Sequence, residues 1–263
     1  ERVKPRPLPE LLAPAGGMEQ LSAALRFGAD AVYGGLGRYG LRAAAVNFTP
    51  ETLRRAAAET HRLGKRFYVT LNILPFDRDL EGLVQTAREA ADAGVDAAIV
   101  SDIGAALTLR EALPALPLHI STQANVLNAR AALHYYEAVG AERIVLSREM
   151  SLGDIRAMRA RLPAEVELEA FVHGAMCVAY SGRCLLSAAL TGRSGNRGEC
   201  AQPCRWHYAV AEEKCPGAWM PVEEGERGTA LFSAYDLCMI GHLPELADAG
   251  VASLKIEGRM KTA

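Results

Sequence analysis

The chain of 263 residues reads as a TIM-type (β/α)8 barrel, and three observations predict it. A helix–glycine–strand phrase recurs along the chain. Eight short strand-like runs alternate with helix-length stretches. One connection is abnormally long, and it holds every cysteine. Half of the residues are apolar, enough to fill the core of a single barrel domain over residues 1–263.

The phrase is plainest at Gly28-Ala-Asp-Ala-Val-Tyr-Gly, Gly94-Val-Asp-Ala-Ala-Ile-Val, Gly140-Ala-Glu-Arg-Ile-Val-Leu and Gly250-Val-Ala-Ser-Leu-Lys-Ile. Gly64-Lys-Arg-Phe-Tyr-Val-Thr-Leu is a fifth copy. In each, an Ala/Leu-rich helix ends at a glycine able to turn left-handed, and a buried strand follows. The strands fall at about 10–14, 31–35, 67–72, 97–101, 118–123, 143–147, 167–173 and 252–257. Helices fit between them at Glu19–Phe27, Pro50–Leu63, Leu80–Ala93 and Ala131–Val139. A doubly wound open sheet is the alternative, but no Gly-x-Gly-x-x-Gly opens the first helix. Only Gly258 to Ala263 follow Glu257, so the last helix is absent from this chain. The chain also begins at Glu1 rather than Met. A longer parent protein is expected.

Residues 174–250 separate the seventh and eighth strands, far more than the roughly 30 residues that a βαβ unit needs. In such barrels the loops after strands carry the active site. This insertion is therefore expected to be functional.

Alternation along the strands predicts which side chains face the barrel interior. Strand three turns Tyr68, Thr70 and Asn72 inward, and strand five His119, Ser121 and Gln123. Strand seven does the same with Glu167, Glu169, Phe171 and His173, and strand eight with Ser253, Lys255 and Glu257. That many interior polar groups must pair with one another, as Lys255 could with Glu169, or meet a ligand. Asn72, Gln123, His173 and Glu257 stand nearest the strand ends and should ring the mouth. His173, Glu257 and Lys255 are the candidate catalytic residues. Asn72, Gln123 and Glu169 are the candidate ligand-binding residues.

All six cysteines lie in the C-terminal third: Cys177, Cys184, Cys200, Cys204, Cys215 and Cys238. A chain with ample core and no export signal has little use for a disulfide scaffold. Thiolates are soft ligands for zinc or iron–sulfur centres. Only Cys200 and Cys204 have zinc-knuckle spacing. Widely spread cysteines on long loops fit an iron–sulfur cluster better. A catalytic thiol with His173 as base is the third reading. Cys215, in a Pro/Gly-containing stretch, is set aside.

Residues 169–187 resemble the signature of the collagenase-like peptidase family U32. The pattern is met at Glu169, Phe171, Gly174, Ala175, Cys177, Gly182, Cys184, Leu186 and Ser187. The opening Glu10-Leu-Leu-Ala-Pro-Ala-Gly and closing Ser253-Leu-Lys-Ile-Glu-Gly-Arg look like the family too. The resemblance implies three activities besides proteolysis: hydroxylation of a tRNA wobble uridine, of a 23S rRNA cytidine, or of ubiquinone. It implies a [4Fe-4S] cluster, with prephenate as a donor in the RNA branch. Cys177, Cys184, Cys200 and Cys238 resemble one ligand set, and Cys204 is the rival fourth ligand.

Arg183, Arg193, Arg197 and Arg205 are opposed only by Glu199, and Trp206, His207 and Tyr208 follow. Arginines beside aromatics can hold RNA phosphate and stack on an unpaired base. The competing reading is a solvated loop over a core Trp. Arg183, Arg197 and Arg205 are taken as the RNA contacts.

Neither a His-Glu-x-x-His helix nor a Gly-x-Ser-x-Gly elbow is present, which disfavours common peptidase mechanisms. The formal net charge of −2 argues against a generic polyanion binder and leaves room for a local basic patch. No apolar run is long enough to span a membrane, and no secretory signal opens the chain. A cytoplasmic protein is expected, with RNA as partner, a small-molecule donor and an oligomeric state left open. A collagenase-like peptidase and a non-catalytic RNA-binding accessory factor are the alternatives.

Overall fold

The computed structural model describes residues 8–41, 47–180, 183–206, 208–211, 213–214, 217, 219–221 and 236–258. Eight parallel strands close into a barrel: β1 (Glu10–Pro14), β2 (Ala31–Gly34), β3 (Arg66–Leu71), β4 (Ala97–Val100), β5 (Leu118–Ile120), β6 (Arg143–Val145), β7 (Glu167–Ala175) and β11 (Ser253–Ile256). Neighbours pair in chain order, and closure comes from β11 sitting between β7 and β1. The helices between them are α1 (Met18–Arg26), α2 (Pro50–Arg62), α3 (Asp77–Asp92), α4 (Ile103–Ala112), α5 (Ala129–Val139) and α6 (Leu152–Arg159). Every strand lies where the sequence places it, and the open-sheet alternative is excluded.

Local chemistry explains the helix limits. α3 starts three residues before the expected Leu80 because Asp79 accepts from the Phe76 N–H at 2.8 Å, fixing the first turn. α5 opens on Asn128, whose side chain accepts from Ala131 N–H at 3.0 Å, and closes on Gly140 at φ +59°. That left-handed cap is the conformation glycine adopts without penalty.

The long insertion after β7 contains α7 (Leu186–Thr191), a hairpin of β8 (Ala209–Ala211) with β9 (Trp219–Pro221), and β10 (Asp236–Cys238). β10 runs antiparallel along the end of β7, pairing Asp236 with Ala175 and Cys238 with His173. α8 (Leu243–Asp248) then leads back into β11. Cys215 and His207 lie outside the described residues.

Between sheet and helices runs a continuous apolar layer containing Leu21, Leu53, Leu83, Leu109, Ile144 and Leu168. The barrel interior is divided. On the β1–β4 side it is apolar, with Leu12, Ala31, Tyr33, Tyr68, Ala97 and Ile99. On the β5–β7 and β11 side it is ionic. Arg143, 1% exposed, donates to Glu10 at 2.7 Å, Glu169 at 3.1 Å and Glu167 at 2.5 Å. Lys255 donates to Glu169 at 2.8 Å, and Tyr68 and Ser253 both donate to Glu10. Charges taken out of water this way are tolerable only when every one is paired.

Candidate functional site

The mouth at the strand C-termini is lined by Tyr33, Thr70, Asn72, Gln123, Lys255 and Glu257, among others. Asn72 accepts from Leu41 N–H at 3.3 Å and donates to Ser121 at 3.2 Å and Gln123 at 3.1 Å. Its polar atoms are therefore spent on neighbours. Glu169 lies deeper and is completely buried. Burial pushes its carboxyl up, but Lys255 and Arg143 outweigh that and hold it below the usual range. The Lys255–Glu169 pairing, weighed from the sequence against a ligand role, is present. The space enclosed at the mouth is about 30 Å³, room for a water or two.

His173 departs from the expected inward position. Lys255 pairs with Phe171, but the next residue, Ile256, pairs with His173. This one-residue irregularity puts His173 on the face of Ile256, outside the barrel. It is exposed and shares an outer groove with Leu11, Ala13, Phe27 and Asp236. It does not ring the mouth. Glu257 does, and its carboxylate stands 3.6 Å from the guanidinium of Arg148.

Four of the cysteines act on one another electrostatically. Burial pushes the Cys204 thiol up, and Cys177, Cys200 and Cys184 add to the shift, while Arg205 opposes it. Those three thiols are thus the electrostatic neighbours of Cys204. Cys238 is not among them. It sits opposite His173, four residues before Cys177 along the chain. Among the described residues, no three His, Cys, Asp or Glu side chains are close enough to share one metal ion.

The loop carrying Cys200 and Cys204 is pinned from several sides. Ser187, 1% exposed, accepts from Ala201 N–H at 3.0 Å and donates to Arg193 O at 2.7 Å. Gln202, at φ +56°, points its N–H at Cys200 Sγ, 3.4 Å away. Arg197 donates to Asp79 at 2.8 Å and 3.2 Å and to Leu74 O at 3.2 Å. That bond holds the Asp79 carboxyl down at about 2. Arg205 donates to Met176 O at 3.3 Å and Asp236 at 3.2 Å, and Arg183 to Asn125 at 3.2 Å.

Each of the three arginines read as an RNA contact therefore has a protein partner. Arg197, half-buried on Asp79, braces the loop rather than facing outward. Arg183 and Arg205 remain exposed, as does Arg193. Trp206, singled out from the sequence, is 45% exposed rather than a core residue, but sequence reasoning missed the rest of this loop's exposed apolar rim: Tyr180 at 53% and Leu185 at 71%. Aromatic and leucine residues inside a cysteine-rich insertion were its only signal. Arg143 was missed too, although an arginine at an interior position of a strand was a visible clue.

The comparisons bear on the same features. The model for Peptidase family U32 matches residues 16–263. "tRNA hydroxylation protein P" of Escherichia coli (strain K12) is 39% identical, covering 97% of this chain and 64% of that protein. The "23S rRNA 5-hydroxycytidine C2501 synthase" of the same organism is 39% identical, covering 96% of this chain and 36% of that protein. The chain therefore spans less than two thirds of the length of these relatives. "The Structure of the U32 Peptidase Mk0906" superposes with a TM-score of 0.58 at 17% identity, covering 99% of this chain and 98% of that one. That likeness concerns the fold. No described helix is long and apolar enough to cross a membrane. With its signature cysteines, its closed barrel and a family match over nearly its whole length, the chain belongs to peptidase family U32.

Proposed function

We propose that this barrel carries out iron–sulfur-dependent hydroxylation of an RNA base, in a tRNA wobble uridine or a 23S rRNA cytidine. The observation that carries the reading is that Cys177, Cys184 and Cys200 are electrostatic neighbours of Cys204 in the insertion after β7, which also carries exposed arginines and aromatics. The names of the relatives support RNA as the substrate.

The donor set fits a [4Fe-4S] centre. Four soft ligands come from one loop system. Zinc would draw its thiolates within about 2.3 Å of one atom. Cys177, Cys184, Cys200 and Cys204 would hold the cluster, with Cys238 the rival for the fourth place. The cluster would supply electron transfer when bound. The Gln202 N–H on Cys200 Sγ would tune that ligand. Arg183, Arg193 and Arg205 would hold backbone phosphate, and Tyr180 and Trp206 would stack an unpaired base. Glu257, aligned by Arg148, would accept a proton at its carboxylate. Lys255 and Glu169 fix the floor on which the mouth is built.

Anaerobic purification tests the cluster. The expected product is brown, with a broad absorbance shoulder and about four irons per chain. Cys204→Ala should lose most of the iron, and Cys238→Ala should keep most of it. A colourless protein with stoichiometric zinc overturns the cluster. Nucleoside mass spectrometry on a deletion strain tests the substrate. Hydroxylated uridine or cytidine should vanish, and its persistence in both tRNA and rRNA rejects the RNA reading.

A further inference from the structure

The hydrogen bonds that line the mouth have only one consistent polarity. A backbone N–H can only donate, so the Leu41 N–H, 3.3 Å from Asn72 Oδ1, fixes which end of the Asn72 amide is oxygen. The Asn72 NH2 is thereby turned on Ser121 Oγ at 3.2 Å and on Gln123 Oε1 at 3.1 Å. Ser121 donates in turn to the same Gln123 oxygen. Two donors converging on that atom fix the Gln123 amide as well. Turning it over would set its NH2 against the Asn72 NH2, donor against donor. Asn72 and Ser121 are both buried, so little water reaches this relay to relax it.

One group is left over. Gln123 Nε2 has no hydrogen-bond partner among the described residues, and Gln123 lines the mouth with Lys255 and Glu257. Lys255 is engaged on Glu169 and lies over the Tyr33 ring, 4.4 Å from its centre. Gln123 thus offers the mouth a neutral donor whose direction is set from behind, before anything binds. Such a donor suits a neutral acceptor, a carbonyl oxygen, and costs no reorganisation when it is met. The enclosed space of about 30 Å³ takes one oxygen atom of that kind and excludes a ring. A base held at the rim therefore enters only by its edge.

We infer that Gln123 reads an exocyclic carbonyl oxygen of the target pyrimidine, and that Asn72 and Ser121 are the positioning residues that keep its NH2 turned to the mouth. The inference rests on the RNA reading above. Uracil carries two such oxygens and cytosine one, so the chemistry is common to both. Adenine carries none, and its approach leaves the Gln123 donor unpaired.

Selective 15N labelling of the four glutamines allows a direct test on the full chain, with Gln123→Met assigning the signal. Millimolar uridine and cytidine should each shift the Gln123 side-chain amide, and adenosine should not. The variants are then returned to a deletion strain, and tRNA and rRNA nucleosides are read by mass spectrometry. The RNA whose hydroxylation responds identifies the source of the pyrimidine. Gln123→Met, at a half-buried position, should slow hydroxylation at least about tenfold with iron content unchanged. In Asn72→Asp the new carboxylate can only accept, so Gln123 must turn its NH2 inward. The loss should match that of Gln123→Met, and the double variant should lose no more than Gln123→Met alone. An amide that responds to no pyrimidine, or equally to adenosine, overturns the inference. So does full hydroxylation by Gln123→Met, or losses that add in the double variant. If the wild-type protein leaves both RNAs unhydroxylated, the RNA reading falls, and the nucleoside titration still decides whether Gln123 reads a carbonyl.

Discussion

At Gly174 the chain leaves the barrel for the cysteine insertion, and the backbone there takes φ +108°. A Cβ at this position would collide with the carbonyl oxygen of Glu257. Glu257 N–H in turn donates to His173 O at 2.9 Å. The same few atoms set the irregular pairing that turns His173 outward and point the chain toward Cys177. Gly174→Ala meets both a left-handed backbone and a backbone clash, strains worth about 1–3 kcal/mol each. Urea denaturation should show a loss of at least about 2 kcal/mol, and the register of β7 on β11 should shift. A neutral Gly174→Ala would mean that the glycine is not what fixes this exit. The residue was visible in the sequence as part of the family signature. Its effect on His173 was not. Alternation is a local rule, and the slip arises from pairing with β11, some eighty positions further along the chain.

Among elements, the loop of Cys200 and Cys204 depends on an attachment to α3. Arg197 reaches across to Asp79, the residue that also caps α3, and its guanidinium lies 5.0 Å from the Phe76 ring centre. From the sequence, Arg197 looked like one of four free basic residues. Its partner is more than a hundred residues away, and charge counting within a segment cannot find it. The pair is partly exposed, so Arg197→Ala should change global stability by less than about 1 kcal/mol. Amide exchange in residues 194–205 should accelerate markedly, and iron retention should fall. The pH dependence has a definite sign. Asp79 is held at about 2, below its ordinary value of 3.8. The stabilisation is therefore complete above about pH 4 and is lost as pH falls through about 2. Carboxyl NMR should find Asp79 titrating near 2 in the native protein and clearly higher in Arg197→Ala, where the Phe76 N–H and Arg78 still hold it below its ordinary value. An unchanged Asp79 in the variant would show that its cap on Phe76, not Arg197, sets the value.

Across the whole molecule, the barrel fills its interior with one apolar half and one ionic half. The polar alternation of β5, β7 and β11 was legible from the strand period, as was the specific pairing of Lys255 with Glu169. The extent of the network was not, because Arg143 on β6 joins Glu10 on β1 to Glu167 and Glu169 on β7. Such contacts exist only once the barrel closes. Closure brings β1 beside β11, the first strand against the last. The energetics then turn on completeness. Lys255→Met would leave Glu169 fully buried with Arg143 as its sole cation, at a cost of about 3–5 kcal/mol. Replacing both partners removes the uncompensated charge, so Lys255→Met with Glu169→Leu should recover most of that loss. Arg143 would keep Glu10 and Glu167. Denaturant unfolding of the two single variants and the double variant measures the coupling directly. If the double variant loses as much as the two singles combined, the ionic half is a set of independent contacts. Recovery would instead mark it as one unit that locks the first strand to the last and holds Glu257 and the cysteine loop in place above it.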